Sequence, residues 1–195
     1  MKVIAINGSS RKSGNTTKII EVVFGELKKF GIECELIELA GRDIQPCKGC
    51  FACSGKGNCV FKHDDFCEVM EKMKSADGII LGSPVYSADV SGIMKNLLDR
   101  GGVVVATNKG LLKRKVGCSV ASVRRAGGMT AVDTMNHFLL NKEVILVGSM
   151  YWNMVYGKDI GDVLNDEEGI ANMKNLGENM GWLLKALRIG ALCRD

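Results

Sequence analysis

Several large classes of protein leave marks that this sequence lacks. No uninterrupted apolar run reaches the roughly 18 residues that a membrane-spanning helix requires. The opening MKVIAING turns polar within a few residues, so no signal-peptide core is present. The expected setting is soluble and cytoplasmic. Prolines number only two, and neither a Pro-rich linker, a repeat nor a low-complexity tract divides the chain. With 195 residues, 46% of them hydrophobic, one sizeable core is expected, in a single domain spanning 1–195. The formal net charge is +4, with basic residues spread out instead of gathered into a run, which argues against nucleic acid as a partner. No His–Asp pair, carboxylate dyad or activated nucleophile stands out, so no catalytic side chain is assigned. The two histidines, His63 and His137, read as structural.

Cysteine, in contrast, is abundant. Of the eight, Cys34, Cys67, Cys118 and Cys193 are scattered and read as thiols without a role. The other four fall within thirteen residues, a density that suits a metal better than a spread of disulfides in a chain without an export signal.

Short aliphatic runs at 2–7, 33–39, 78–82, 115–123 and 143–148 alternate with helical patterns. Runs of this kind suit strands covered on both faces, as in a parallel sheet. Ile20, Val23, Leu27 and Phe30 recur at helical spacing before Gly31, and Phe66, Val69, Met70 and Met73 do so again. Asp65 with Glu68 matches a capping box at the start of that second helix. Further helices are predicted over 91–100, ended by Gly101, over 128–140 and over 166–187. Five strands with intervening helices and right-handed crossovers predict an α/β, flavodoxin-like doubly wound sheet of five parallel strands, order 2-1-3-4-5.

In such a sheet ligands sit at the carboxyl ends of the strands, and three segments fall there. The loop GSSRKSGNTT, residues 8–17, follows the first strand and opens the first helix, where free amides and the helix dipole favour an anion. It lacks the Walker lysine and the G-x-G-x-x-G pattern. Ser9, Arg11, Ser13, Asn15, Thr16 and Thr17 instead offer hydroxyls, an amide and a guanidinium suited to one phosphomonoester, as carried by FMN. Ser83, Pro84, Val85 and Tyr86 follow the third strand, and Ser122, Arg124, Arg125, Gly127 and Gly128 the fourth. These loops can supply backbone donors and an apolar wall to a flat flavin ring, with Tyr86 the candidate for stacking. The arginine pair suits a nicotinamide cofactor's phosphate, a reduced flavin anion or plain solvated surface.

The cysteine segment reads C-x2-C-x2-C-x5-C, Cys47, Cys50, Cys53 and Cys59, in a loop of residues 47–59 after the second strand. Three closely spaced thiolates can surround one iron–sulfur cube and the fourth can close it after a glycine-containing turn. Zinc sites usually come as two C-x2-C knuckles with a longer spacer, so the spacing favours a 4Fe–4S cluster. Zinc, a metal-free lid and an adventitious disulfide remain the alternatives.

Together GSSRKSGNTT, SPVYSADVSGIMKNLLDR and CKGCFACSGKGNC resemble the flavodoxin-like NAD(P)H-dependent FMN reductase superfamily and, within it, the iron–sulfur flavoproteins. The likeness runs to about residue 190. It implies FMN at the three loops, with Ser9, Arg11, Asn15, Thr16 and Thr17 at the phosphate and Pro84, Val85 and Tyr86 at the ring. It also implies a homodimer or homotetramer whose subunits approach near flavin and cluster. The expected activity is electron relay from a ferredoxin-type or NAD(P)H donor to a small-molecule acceptor. A cluster-free NAD(P)H-dependent FMN or quinone reductase is the rival, and a flavodoxin-like carrier or thiol sensor the third reading.

Overall fold

The fold was obtained as a computed structural model that describes residues 1–192, with side chains through residue 190; Cys193 lies outside the described residues. The elements in order are β1 (Lys2–Asn7), α1 (Asn15–Lys29), β2 (Glu33–Glu38), α2 (Phe66–Ser75), β3 (Gly78–Pro84), α3 (Gly92–Ala106), β4 (Val116–Val123), α4 (Gly128–Asn141), β5 (Ile145–Leu146), β6 (Met154–Tyr156) and α5 (Glu167–Leu192). The sheet is parallel with order β2-β1-β3-β4-β5, as the alternating pattern predicts. Alternate residues of each strand feed two cores. Val3, Ala5, Ile80, Cys118 and Val120 pack under α1 and α5, whereas Ile4, Ile6, Ile79 and Leu81 pack under α2, α3 and α4. No helix among the described residues is long and apolar enough to cross a membrane.

Three local predictions are corrected. The fifth strand does not run from 143 to 148. Its place beside β4 is shared by β5, which pairs with Val116 and Gly117, and by β6, which pairs with Ala121, Ser122 and Val123. The segment between them leaves the ladder because side chains of α5 satisfy its carbonyls: Asn172 donates to Trp152 O at 2.8 Å and Asn179 to Gly148 O at 3.0 Å. At a sheet edge such bonds replace a ladder that has only one neighbour to lose.

The second correction concerns the start of α2, where Asp65 occupies the cap position without a side-chain capping bond. Its carboxylate instead accepts the Asp43 amide at 2.8 Å, and Glu68 takes a two-pronged bond from Arg42 at 3.1 and 3.2 Å. Both acids tie α2 to the chain leaving β2, where a guanidinium fork is a stronger donor than a neutral amide.

Third, α3 does not stop at Gly101. It continues to Ala106, because Val104 and Val105 are buried and because Thr107 closes the last turn by donating to Val103 O at 2.9 Å. Burial of two valines outweighs the cost of about 1 kcal/mol for each interior glycine. The extra turn and a half has a consequence at the site, since Thr107 and Asn108 follow directly from it.

This correction is testable. A Cβ at Gly102 would meet only the Lys142 side chain, at 3.9 Å. Gly102→Ala should therefore stabilise the protein by about 0.5–1 kcal/mol in chemical denaturation. A helix that ended in a left-handed glycine at 101 would leave residue 102 outside it, and the substitution would then bring no gain.

Candidate functional site

The carboxyl ends of β1, β3 and β4 converge. In the loop after β1 the Ser9 amide donates to Asn7 Oδ1 at 2.9 Å, and Ser9 Oγ accepts the Arg11 amide at 3.0 Å. These two bonds curl the chain into the first turn of α1. Gly14 caps that helix with no side-chain acceptor, and the amides of Asn15, Thr16 and Thr17 have no protein acceptor among the described residues. Three open N–H groups at a helix N-terminus, with the exposed Arg11 beside them, are what a phosphate dianion requires. The donor set fits the phosphate of a mononucleotide cofactor.

The side chains of this loop divide their work differently from the sequence expectation. Asn15 is committed to the segment after β6: it donates to Asp159 O at 2.9 Å and accepts the Gly161 amide at 2.7 Å. Its backbone amide, not its side chain, is what remains for an anion. Thr17 accepts from Asn7 at 3.0 Å and donates to Glu38 at 2.9 Å, and the Ser13 amide also donates to Glu38, at 3.2 Å. Thr16 Oγ1 and Ser122 Oγ lie 2.8 Å apart, joining the first turn of α1 to the end of β4. Ser83 is wholly buried and accepts the Ser91 amide at 3.0 Å, so it serves the backbone.

Tyr86 opens a tight turn closed by paired bonds with Asp89, in which Ser87 and Ala88 have φ of 48° and 65°. Its hydroxyl lies 2.9 Å from Ser10 Oγ, bridging the first and third loops, and its ring is 41% exposed. The Val85 amide donates to Ser122 O at 3.0 Å. Gly127 has φ +84°, and a Cβ there would lie 2.7 Å from Ala88 Cα. Only glycine lets the loop after β4 approach the Tyr86 turn so closely. Gly128 opens α4, while Arg124 and Arg125 are exposed, with no ion pair among the described residues. Beyond Gly127 and Gly128 lies a cleft of about 440 Å³, walled by Met129, Tyr151, Trp152 and Tyr156. Sequence reasoning missed this wall. Its signal was the cluster YWNMVY at 151–156 in a chain with 6% aromatics.

The cysteines are brought together as well. Cys47, Cys50, Cys53 and Cys59 all line one small pocket, of about 40 Å³, closed by Phe51, Val103, Val104 and Arg100. Among the described residues no three His, Cys, Asp or Glu side chains converge on a point that would hold a single ion. The four thiols form a pocket wall instead, and none of the described cysteines is in a disulfide. Cysteine thiolates ligate both iron–sulfur clusters and structural zinc, so the donor set along this wall fits a thiolate-bound metal group.

What holds this loop is α3. Thr107 Oγ1 lies 3.5 Å from Cys53 Sγ, Asn108 donates to Cys53 O at 2.9 Å, and the Gly57 amide donates to Asn108 Oδ1 at 2.8 Å. About two turns earlier, Arg100 is 3% exposed. Its Nε donates to Cys59 Sγ at 3.3 Å, its Nη2 to Phe61 O at 2.6 Å, and its Nη1 to Gln45 O at 3.4 Å and to the Asp64 carboxylate. The ring of Phe66 lies 4.3 Å from the guanidinium carbon. Burial alone would raise the Asp64 carboxyl, but the bond and charge of Arg100 and the Gln45 amide together hold it below the ordinary carboxylate range. Arg100, Asp64, Thr107 and Asn108 were not anticipated. The legible signal was Arg100 itself, a charge on the same helical face as Leu97 and Val104.

The other described thiols, Cys34, Cys67 and Cys118, do not line this pocket. Cys118 is fully buried and its thiol is pushed up to about 12 by desolvation. Burial likewise raises Cys34 and Cys67, the latter beside the Cys59 carbonyl at 3.5 Å. His63 stacks edge-on against Phe61, and His137 faces solvent on α4.

Comparison with known proteins agrees with this geometry. The NADPH-dependent FMN reductase family profile matches residues 1–159. An iron–sulfur flavoprotein of Methanocaldococcus jannaschii is 38% identical over 195 residues, covering 96% of this chain and 100% of the relative. Another, from Methanosarcina thermophila, is 35% identical over 198 residues and covers both chains completely, at 100% each. An FMN-dependent NADPH-azoreductase of Staphylococcus saprophyticus is 26% identical over 141 residues, 72% of this chain and 68% of its own. Among solved structures an archaeal flavodoxin superposes with a TM-score of 0.63 at 16% identity, covering 95% of this chain and 99% of its own, which supports the fold alone. The chain therefore belongs to the NADPH-dependent FMN reductase family, among its iron–sulfur flavoproteins, and is a flavin-dependent oxidoreductase.

Proposed function

We propose that this single-domain chain relays electrons between a ferredoxin-type one-electron donor and a small-molecule acceptor by holding FMN at the β1, β3 and β4 loops and a 4Fe–4S cluster at the cysteine loop. The observation that carries the reading is the gathering of all four cysteines on one pocket wall, in a fold whose phosphate loop keeps its first-turn amides open. When both are bound, FMN supplies two-electron chemistry that can also proceed singly, and the cluster supplies one-electron transfer.

The chain's own residues bind, orient and shield. The amides of Asn15, Thr16 and Thr17 and the Arg11 guanidinium neutralise the phosphate. Ser9 shapes the loop, and Ser122 holds Thr16 in place. Pro84, Val85 and the Tyr86 ring form one wall for the flavin, and Gly127 and Gly128 bring backbone donors to its other edge. Cys47, Cys50, Cys53 and Cys59 ligate the cluster, while Phe51 and Val103 exclude water from it. Ser91 connects the two sites mechanically: it caps α3, accepting the Met94 amide at 3.3 Å, and donates to Gly8 O at 2.6 Å at the root of the phosphate loop. A homodimer or homotetramer fits the exposed Tyr151, Trp152 and Trp182, at 63%, 55% and 66%, which a neighbouring subunit would cover.

Two substitutions test the assignment. Arg11→Ala should weaken FMN binding by roughly 1.5–3 kcal/mol, a factor of about ten to a hundred, through loss of a charge-assisted contact; unchanged affinity in a fluorescence titration would remove Arg11 from the phosphate site. Cys59→Ala should lose iron, or degrade to a three-iron form, while FMN stays bound. Reduction by a ferredoxin-type donor should then fall sharply and reduction of FMN by dithionite persist. If iron content and ferredoxin-driven reduction are both unchanged in that variant, the cluster-free NAD(P)H-dependent reductase is the better account.

A further inference from the structure

The four thiols stand in unequal surroundings. The Gly49 amide, a neutral donor, lies 3.4 Å from Cys47 Sγ, and the uncharged Thr107 hydroxyl, whose proton goes to Val103 O, lies 3.5 Å from Cys53 Sγ. Cys50 is exposed. Cys59 alone among them meets a charged donor, the Nε–H of Arg100 at 3.3 Å. That donor is buried and cannot swing away, because the rest of its fork is occupied on both flanks of the cysteine segment, by Gln45 before it and by Phe61 and Asp64 after it. The guanidinium therefore ties residue 45 to residues 59–64 and presents its remaining N–H to the last sulfur.

We propose that Arg100 is the positioning residue of the cysteine loop, closing it by drawing Cys59 toward the other three thiols and raising the reduction potential of the cluster through an Arg100–Cys59 N–H···S bond. The inference rests on the reading of the four cysteines as cluster ligands. Each added electron makes the sulfurs more negative, so a hydrogen bond and a positive charge at one of them stabilise the reduced state more than the oxidised. Lysine is a poor substitute. It carries the charge, but its three donors radiate from one nitrogen and do not reproduce the spread of Nε, Nη1 and Nη2 that meets Cys59, Gln45, Asp64 and Phe61.

The test uses anaerobically purified holoprotein and three variants: Arg100→Lys, Arg100→Gln and the paired Arg100→Met with Asp64→Asn. The pair removes both members of the buried ion pair, so no lone charge is stranded if a single substitution prevents folding. FMN content and far-ultraviolet circular dichroism report the fold, iron analysis reports loop closure, and redox titration followed by electron paramagnetic resonance reports the potential. In every variant that keeps wild-type FMN and circular dichroism, the expectation is one of two results. Either iron is lost, or the cluster is retained with a reduced-to-oxidised ratio at fixed potential at least tenfold lower, a shift of 59 mV or more to negative values for one electron. Full iron with an unchanged midpoint in any variant that keeps wild-type FMN and circular dichroism overturns the proposal. Wild-type protein with FMN but no iron overturns the cluster reading beneath it, and the two failures are told apart by the wild-type iron analysis.

Discussion

A buried guanidinium must find acceptors for its donors, and the rest of this site is arranged around that requirement. Arg100 is 3% exposed and its partner Asp64 has no exposed side-chain surface. Removing either partner from such a pair leaves an uncompensated charge and costs several kcal/mol. The acceptors that Arg100 finds are a carboxylate, two carbonyls and a thiol, all from the segment that carries the cysteines. A loop with little apolar surface of its own is thereby fastened to a helix of the core. The same helix begins at Ser91, whose hydroxyl is bonded to Gly8 at the phosphate loop, and ends at Thr107 and Asn108, which hold Cys53 and Gly57. One rigid element therefore spans both candidate cofactor sites.

The parts of this design that were legible in the sequence are those with a local physical cause. The strands read as buried apolar runs, the loop after β1 as a glycine- and hydroxyl-rich turn into a helix, and the cysteines through their spacing. The parts that were not legible depend on distant partners. Gly101 looks like a helix stop until Val104, Val105 and Phe138 are seen to bury the continuation. The run 143–148 looks like one strand until Asn172 and Asn179 of α5 pull the following residues off the edge. Asn15 reads as a phosphate ligand, yet its side chain is engaged 146 positions away by the Gly161 amide. Arg100 reads as the polar end of a helix, because nothing local says that the cysteine segment will fold over it.

These differences shape the functional account. With the side chains of Asn15 and Thr17 engaged elsewhere, the proposed phosphate site rests on backbone amides and Arg11, a property of the helix start more than of its side chains. The proposed flavin wall of Tyr86 and Gly127 lies beside the cleft walled by Tyr151, Trp152 and Tyr156. The family membership makes the chain a flavin-dependent oxidoreductase, and whether the cysteine pocket holds a cluster is what separates the proposed relay with two centres from a reductase with one.

That distinction is decided most directly by composition. Protein purified without oxygen should contain about four iron atoms and four acid-labile sulfides for each FMN, with a broad iron–sulfur absorption beneath the flavin bands that bleaches on reduction. One FMN per chain with iron and sulfide at background level would contradict the account.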